Sequence, residues 1–210
     1  MTLDSRGIAN PTNQARGQTQ TMTRQNISRG SKVKIGGKAA MEPCECCGIA
    51  PDPQGKPFSI TFEQPDVVFD IAPELLQTWG GDPFLAIKDV GFFLRVLLPV
   101  TLTDGFAVEF GTWLEIDSED FRQAWQTWNF PEYAEYSVEG YLANTIAPWD
   151  QFRHSLVKAV VRDQAGVPVV TAGGNEDVAT ILDTTWPHAK VLTPYAELLR
   201  PETPPADQPA

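Results

Sequence analysis

The stretch that decides the fold is FFLRVLLPVTLTDGFAVEFGTWLEI, residues 92–116. Even positions 92 to 102 read Phe, Leu, Val, Leu, Val, Leu, so they share one face of an extended strand. In the second half Phe106, Val108, Phe110, Leu114 and Ile116 again fall on even numbers, while Glu109 and Glu115 fall on odd ones. A two-residue loop at Asp104-Gly105 would set even residues opposite odd ones and bury both glutamates beside the leucines. A three-residue loop, Thr103 to Gly105, pairs Leu102 with Phe106 instead, and predicts Gly105 in the left-handed position after a type I turn. A long hairpin with one apolar face is therefore expected.

Other elements follow outward from that hairpin. In DSEDFRQAWQTW, Asp117 or Ser118 caps a helix, acids fill its first turn, and Phe121, Ala124, Trp125 and Trp128 recur at helical spacing. The valines of SLVKAVVRDQAGVPVV predict a second hairpin turning near Gly166, with Pro168 marking an edge strand. VATILDTTW reads as strand or helical turn, and HAKVLTPYAELLR as helix, with Pro194 starting or interrupting it. These pieces predict an α+β domain: an antiparallel β-sheet built of hairpins, with helices packed on one face.

The ends differ from this body. Residues 1–40 carry seven basic residues (Arg6, Arg16, Arg24, Arg29, Lys32, Lys34, Lys38) against one acid, Asp4, and no aromatic residue. They read as a disordered, basic N-terminal extension, because such a composition buries too little apolar surface to offset ordering. Translation starting at Met22 or Met41 rather than Met1 is an alternative for the same segment. Residues 41–200 form the expected globular domain, and the polar, proline-rich 201–210 a solvated tail. The chain as a whole carries a net charge of -11, which argues against wrapping nucleic acid and leaves only the basic arm for such contact. No apolar run is long enough to cross a bilayer and no secretory signal pattern is present, which makes the cytoplasm the expected location.

Chemistry concentrates in PCECCGIAPD, residues 43–52, which holds all three cysteines of the chain. Cys44 and Cys47 with Gly48 have the C-x-x-C-G spacing of a zinc knuckle, in which two thiolates grip one ion and glycine closes the turn. A structural zinc takes four ligands, so Cys46, His188 and His154 enter as further candidates. Glu42 and Glu45 beside the thiols raise rather than lower thiol pKa, which counts against a thioredoxin-like dithiol. Ser155 beside His154 does not make a hydrolytic pair, and TAGGNED lacks the lysine of a phosphate loop, so a turn is expected there. Trp113, Trp125, Trp128 and Trp149 are expected in the core.

Taken in order, the cysteine turn, the EFGTWLEIDSEDFRQAWQTW strand and helix, and GYLANTIAPW resemble the bacterial domain-of-unknown-function family 2199 over about residues 44–200. The resemblance rests on Cys44, Cys47 and Gly48; on Gly111, Trp113, Ser118, Glu119 and Phe121; on Gly140, Leu142 and Asn144; and on His188. Relatives often place a histidine soon after the cysteine turn and a cysteine mid-chain. Here GIAPDPQG has no histidine, and Phe84 stands where that cysteine falls. The resemblance thus implies an inherited knuckle that has lost partners, with Cys46 and His188 as substitutes. It brings no activity.

The expectation is a cytoplasmic, non-catalytic protein that binds a protein or small-molecule partner and carries a structural zinc at Cys44, Cys47, Cys46 and His188. The alternative is a thiol-based redox sensor or metal-dependent enzyme using the three cysteines.

Overall fold

The computed structural model describes residues 31–34, 43–45, 48–52 and 54–199. Nine strands are present among them: β1 (Ser31–Lys34), β2 (Phe58–Phe62), β3 (Thr78–Gly81), β4 (Phe84–Ile87), β5 (Gly91–Thr101), β6 (Ala107–Ile116), β7 (Ser137–Leu142), β8 (Leu156–Val160) and β9 (Val169–Gly173). The helices are α1 (Ser118–Thr127), α2 (Glu176–Asp183), α3 (His188–Leu192) and α4 (Ala196–Leu199).

The β5–β6 hairpin has the register the sequence predicts. Leu94 faces Leu114, Leu98 faces Phe110 and Val100 faces Val108. The Leu102 amide donates to the Phe106 carbonyl at 3.2 Å, so even residues do meet even residues. The turn itself differs: Asp104 (φ 60°) joins Gly105 (φ 76°) in the left-handed region, and the Phe106 amide closes on the Thr103 carbonyl at 3.2 Å. Aspartate tolerates that region better than most side chains, which is why Asp-Gly can supply both positions.

The sheet departs from the expected open, antiparallel layer with helices on one face. It closes into a barrel in which β5, β6, β7, β8 and β9 follow one another and β9 returns to β5. The strands are mixed, since β2 runs parallel to β6 and β9 parallel to β5. Closure is possible because β5 and β6 are longer than any neighbour. β5 gives Gly91–Leu94 to β4 and pairs β9 at Leu97, while β6 gives Val108–Gly111 to β2 and pairs β7 at Leu114 and Glu115. The apolar face of β5 is then part of one core with inward residues of other strands, among them Val138, Leu142, Val157, Ala159 and Val170, and with Val178 and Ile181 of α2. Each fully buried Val or Leu contributes roughly 1.5–3 kcal/mol.

Smaller departures have local causes. β9 is not an edge strand: Pro168 precedes it and uses only its carbonyl, accepting from the Leu97 amide at 2.9 Å, so the missing N–H costs no ladder bond. Residues 176–183 of VATILDTTW and its lead-in form α2, capped by Asn175, whose side chain accepts from the Val178 amide at 2.9 Å. Pro194 lies in a single 3-10 turn, Thr193–Tyr195, between α3 and α4. Asp117 is the cap of α1, accepting at 2.8 Å from the amides of both Glu119 and Asp120. Trp113 and Trp149 are core as expected, but Trp125 is 56% exposed, lying edge-to-face with Phe84 and stacked on Phe121. Ser31–Lys34, expected within the disordered extension, pairs antiparallel with β2. The rest of that extension and residues 200–210 lie outside the described residues.

Gly140 explains one element of the motif GYLAN. A Cβ there would lie 2.6 Å from the Glu115 carbonyl oxygen, so β7 can approach β6 only with glycine at this position.

Candidate functional site

His188 is set at the rim of the barrel by backbone pairing. The Trp186 amide donates to the Thr101 carbonyl at 2.9 Å, and the Thr103 amide donates back to the Trp186 carbonyl at 2.8 Å. Pro187 then starts α3, and the His188 amide donates to Thr103 Oγ1 at 3.2 Å. The imidazole, its side chain only 11% exposed, stacks on Phe106 at 4.5 Å between centroids with an interplanar angle of 13°.

Both ring nitrogens have side-chain neighbours. Nδ1 lies 3.0 Å from Asp104 Oδ2 and 3.0 Å from Thr103 Oγ1. Nε2 lies 3.2 Å from Cys44 Sγ. Cys44 comes from a tight turn in which the Gly48 amide donates to the Cys44 carbonyl at 2.7 Å and the Cys44 amide donates to the Ile49 carbonyl at 2.9 Å. Gly48 takes φ +71°, a conformation that glycine adopts at little cost, and buried Ile49 anchors the turn. Residues 144 positions apart in the chain therefore meet through the docking of two short segments on one hairpin turn.

The separation suits shared ligation. A sulfur at about 2.3 Å and a nitrogen at about 2.0 Å from one tetrahedral zinc stand roughly 3.5 Å apart. The same separation suits a thiol donating to an imidazole nitrogen. Cys46 and Cys47, the other expected ligands, lie outside the described residues, and among the described residues no group of three metal-binding side chains gathers. His154 is exposed, with φ +67° in the turn between β7 and β8, and is remote in role: its amide donates to the Leu142 carbonyl at 2.8 Å.

Phe84, the position where the resemblance leads one to expect a cysteine, is not part of this site. It pairs with Leu94 and packs edge-to-face against Phe121, Trp125 and Trp128. Leu94 and Leu102 are separated by eight residues of strand, roughly 26 Å at about 3.3 Å per residue, so a thiol at position 84 would sit at the opposite end of the hairpin from Cys44.

A second polar cluster went unread in the sequence. Asn144 accepts at Oδ1 from Thr112 Oγ1 (3.1 Å) and the Trp113 amide (3.0 Å), and donates from Nδ2 to the Gln64 carbonyl (2.8 Å) and Asp66 Oδ1 (3.1 Å). Asp66 Oδ2 accepts from the Thr145 amide at 2.9 Å. Next to it Arg95, 6% exposed, donates to the carbonyls of Phe62 (2.8 Å) and Gly111 (3.2 Å), pairs with Asp82, and lies 4.4 Å from the centre of the Trp113 ring. The one signal was Arg95 itself, an arginine inside the apolar run FFLRVLL. The cavity inside the barrel, lined by Leu98, Leu142, Asn144, Phe152 and Ile181 among others, has a volume of about 10 Å³, room for at most one water.

The family model described as "Uncharacterized protein conserved in bacteria", domain-of-unknown-function family 2199, matches residues 43–179. His188 thus lies beyond the matched segment, whereas Cys44, Gly140 and Asn144 lie within it. No curated protein and no solved structure matches the chain.

Proposed function

The chain belongs to that bacterial family, and on that premise we propose that it is a non-catalytic binding protein whose barrel is stapled by one zinc ion at Cys44 and His188. Cys47, by its C-x-x-C-G spacing, supplies the third ligand, and Cys46 or a water the fourth. The observation that supports this reading is the 3.2 Å approach of Cys44 Sγ to His188 Nε2, from opposite ends of the domain, on the Thr103–Gly105 turn. Bound there, zinc would tie the cysteine turn to the barrel rim and supply fold stability rather than turnover. The partner is a protein or small molecule met at the surface. Among the described residues no helix is long and apolar enough to cross a membrane; the cytoplasm and its reducing conditions fit thiolate ligands. A role in nucleic-acid contact stays with the basic residues before position 40.

Elemental mass spectrometry on tag-free protein tests the zinc. About one zinc per chain, absent from a Cys44→Ser, Cys47→Ser variant, is the expected result; a metal-free protein of unchanged stability in the presence of excess zinc would sink it.

A second reading, thiol chemistry at Cys44, is favoured by the same contact seen as nucleophile and base, with Asp104 behind the imidazole. It predicts that Cys44 is alkylated faster than a free-cysteine peptide and that His188→Ala removes the difference. Equal rates would rule it out.

A further inference from the structure

We infer that Asp104 is a positioning residue of the Cys44–His188 site: its carboxylate, carried on the β5–β6 turn, keeps the His188 proton on Nδ1 and leaves the Nε2 lone pair facing the thiol. The inference rests on the metal reading above and names the group that would prepare the imidazole for an ion.

The tautomer follows from what each neighbour can give. Asp104 Oδ2, 3.0 Å from Nδ1, has no hydrogen to donate when ionised, so a bare Nδ1 would oppose two lone pairs. A proton on Nδ1 turns that repulsion into a charge-assisted hydrogen bond. Thr103 Oγ1 accepts the His188 amide proton at 3.2 Å and lies 3.0 Å from Nδ1; a hydroxyl can serve either tautomer, so the Asp104 carboxylate, which can only accept, decides between them. The neutral imidazole then has its only lone pair at Nε2, where Cys44 Sγ stands 3.2 Å away. Rotation of the ring is opposed by the stack on Phe106 and by near-complete burial.

The backbone supports a side-chain reason for aspartate. Position 104 has φ 60°, where glycine costs least, yet the turn places aspartate first and glycine second. A carboxylate behind a ligating histidine fixes ring orientation and raises ligand basicity, and loss of such a partner typically weakens metal affinity about 10- to 100-fold.

The test uses the full chain with Asp104→Gly and Asp104→Asn, both of which accept a positive φ. Long-range proton–nitrogen NMR of the His188 ring reports the tautomer, and chelator competition reports zinc affinity. Expected are an Nδ1–H ring in the metal-free wild type, a loss of about 10- to 100-fold in zinc affinity for Asp104→Gly, and a smaller loss for Asp104→Asn, whose amide oxygen still accepts. An Nε2–H ring in the wild type, or unchanged zinc affinity in a folded Asp104→Gly protein, overturns the inference. If the wild type takes up no zinc, the metal reading fails by itself; the tautomer of the metal-free ring still decides the role of Asp104. Melting curves identify a variant that has lost its fold, in which case Asp104→Asn carries the affinity comparison.

Discussion

The cluster around Asn144 and the cluster around His188 each centre on a buried polar side chain and are built by residues far apart in sequence, yet they are wired differently. Asn144 and Arg95 spend most of their hydrogen bonds on backbone groups, namely the Trp113 amide and the carbonyls of Gln64, Phe62 and Gly111. Such bonds satisfy chain segments that leave the ladders, which is a structural task. The His188 ring instead makes its contacts with side chains, Cys44 on one nitrogen and Asp104 and Thr103 on the other. Convergence of a thiol and an imidazole on one point, with a carboxylate behind, resembles a ligand site more than a brace. Polarity and burial alone do not mark function; the identity of the partner does.

The largest expected effect breaks the brace. Asn144→Ala takes one hydrogen bond each from the Thr112 hydroxyl, the Trp113 amide, the Gln64 carbonyl and Asp66 Oδ1, and the buried Thr112 and Trp113 groups cost about 1–3 kcal/mol each when left unsatisfied. Urea denaturation should show a loss of about 5 kcal/mol, with zinc stoichiometry unchanged in protein that remains folded. A loss below about 1 kcal/mol would show that the cluster is incidental.

Alkaline pH tests general core burial apart from the hydrogen bonds of the Asn144 cluster. Burial pushes the hydroxyl pKa values of Tyr133, Tyr136 and Tyr195 well above the ordinary value of 10.0. The unfolded chain therefore ionises first: the stabilising contribution is intact below pH 10 and is lost as pH rises beyond it toward the folded-state values. The slope is about 1.4 kcal/mol per tyrosine per pH unit, close to 4 kcal/mol for the three together near pH 11. Denaturation at pH 9 and pH 11 checks it, and equal stability at the two would contradict the burial.

His188→Ala breaks the other cluster. At free zinc a hundredfold above its dissociation constant, the wild type should gain about 2.7 kcal/mol over protein held in chelator. The variant should gain none, and in chelator it should be less stable than the wild type because the buried ring and its stack on Phe106 are lost. A gain in the variant equal to that of the wild type would place the ion elsewhere.

The smallest effect sharpens the rule that the brace obeys. The Tyr133 hydroxyl is fully buried and has no hydrogen-bond partner among the described residues, whereas the Tyr195 hydroxyl donates to the Ala147 carbonyl at 3.1 Å. Tyr133→Phe should be neutral or stabilising by up to about 1 kcal/mol, and Tyr195→Phe destabilising by about 1 kcal/mol. The reverse order of melting temperatures would be the contrary finding.

Local rules carried the sequence reading a long way. The parity of apolar residues in 92–116 set the hairpin register, and Asp117 caps α1 as its chemistry requires. Barrel closure was not legible. It depends on one parallel contact, Leu97 with Val169, and on unequal strand lengths, neither of which leaves a periodic trace in the chain. The left-handed Asp104 was missed because a type I turn with one positive φ satisfies the same register. Cys44 and His188 were both legible as ligand types, but their meeting was not, because it requires Trp186 to pair with the end of β5. Asp104 carried no separate signal, being read only as a turn residue, and Asn144 only as part of a motif.

The most direct test of the account is an anomalous difference map at the zinc absorption edge from crystals of zinc-loaded protein. A peak about 2.3 Å from Cys44 Sγ and about 2.0 Å from His188 Nε2 is the predicted result. A map with no peak between them, the thiol and imidazole in direct contact in zinc-saturated crystals, would contradict it.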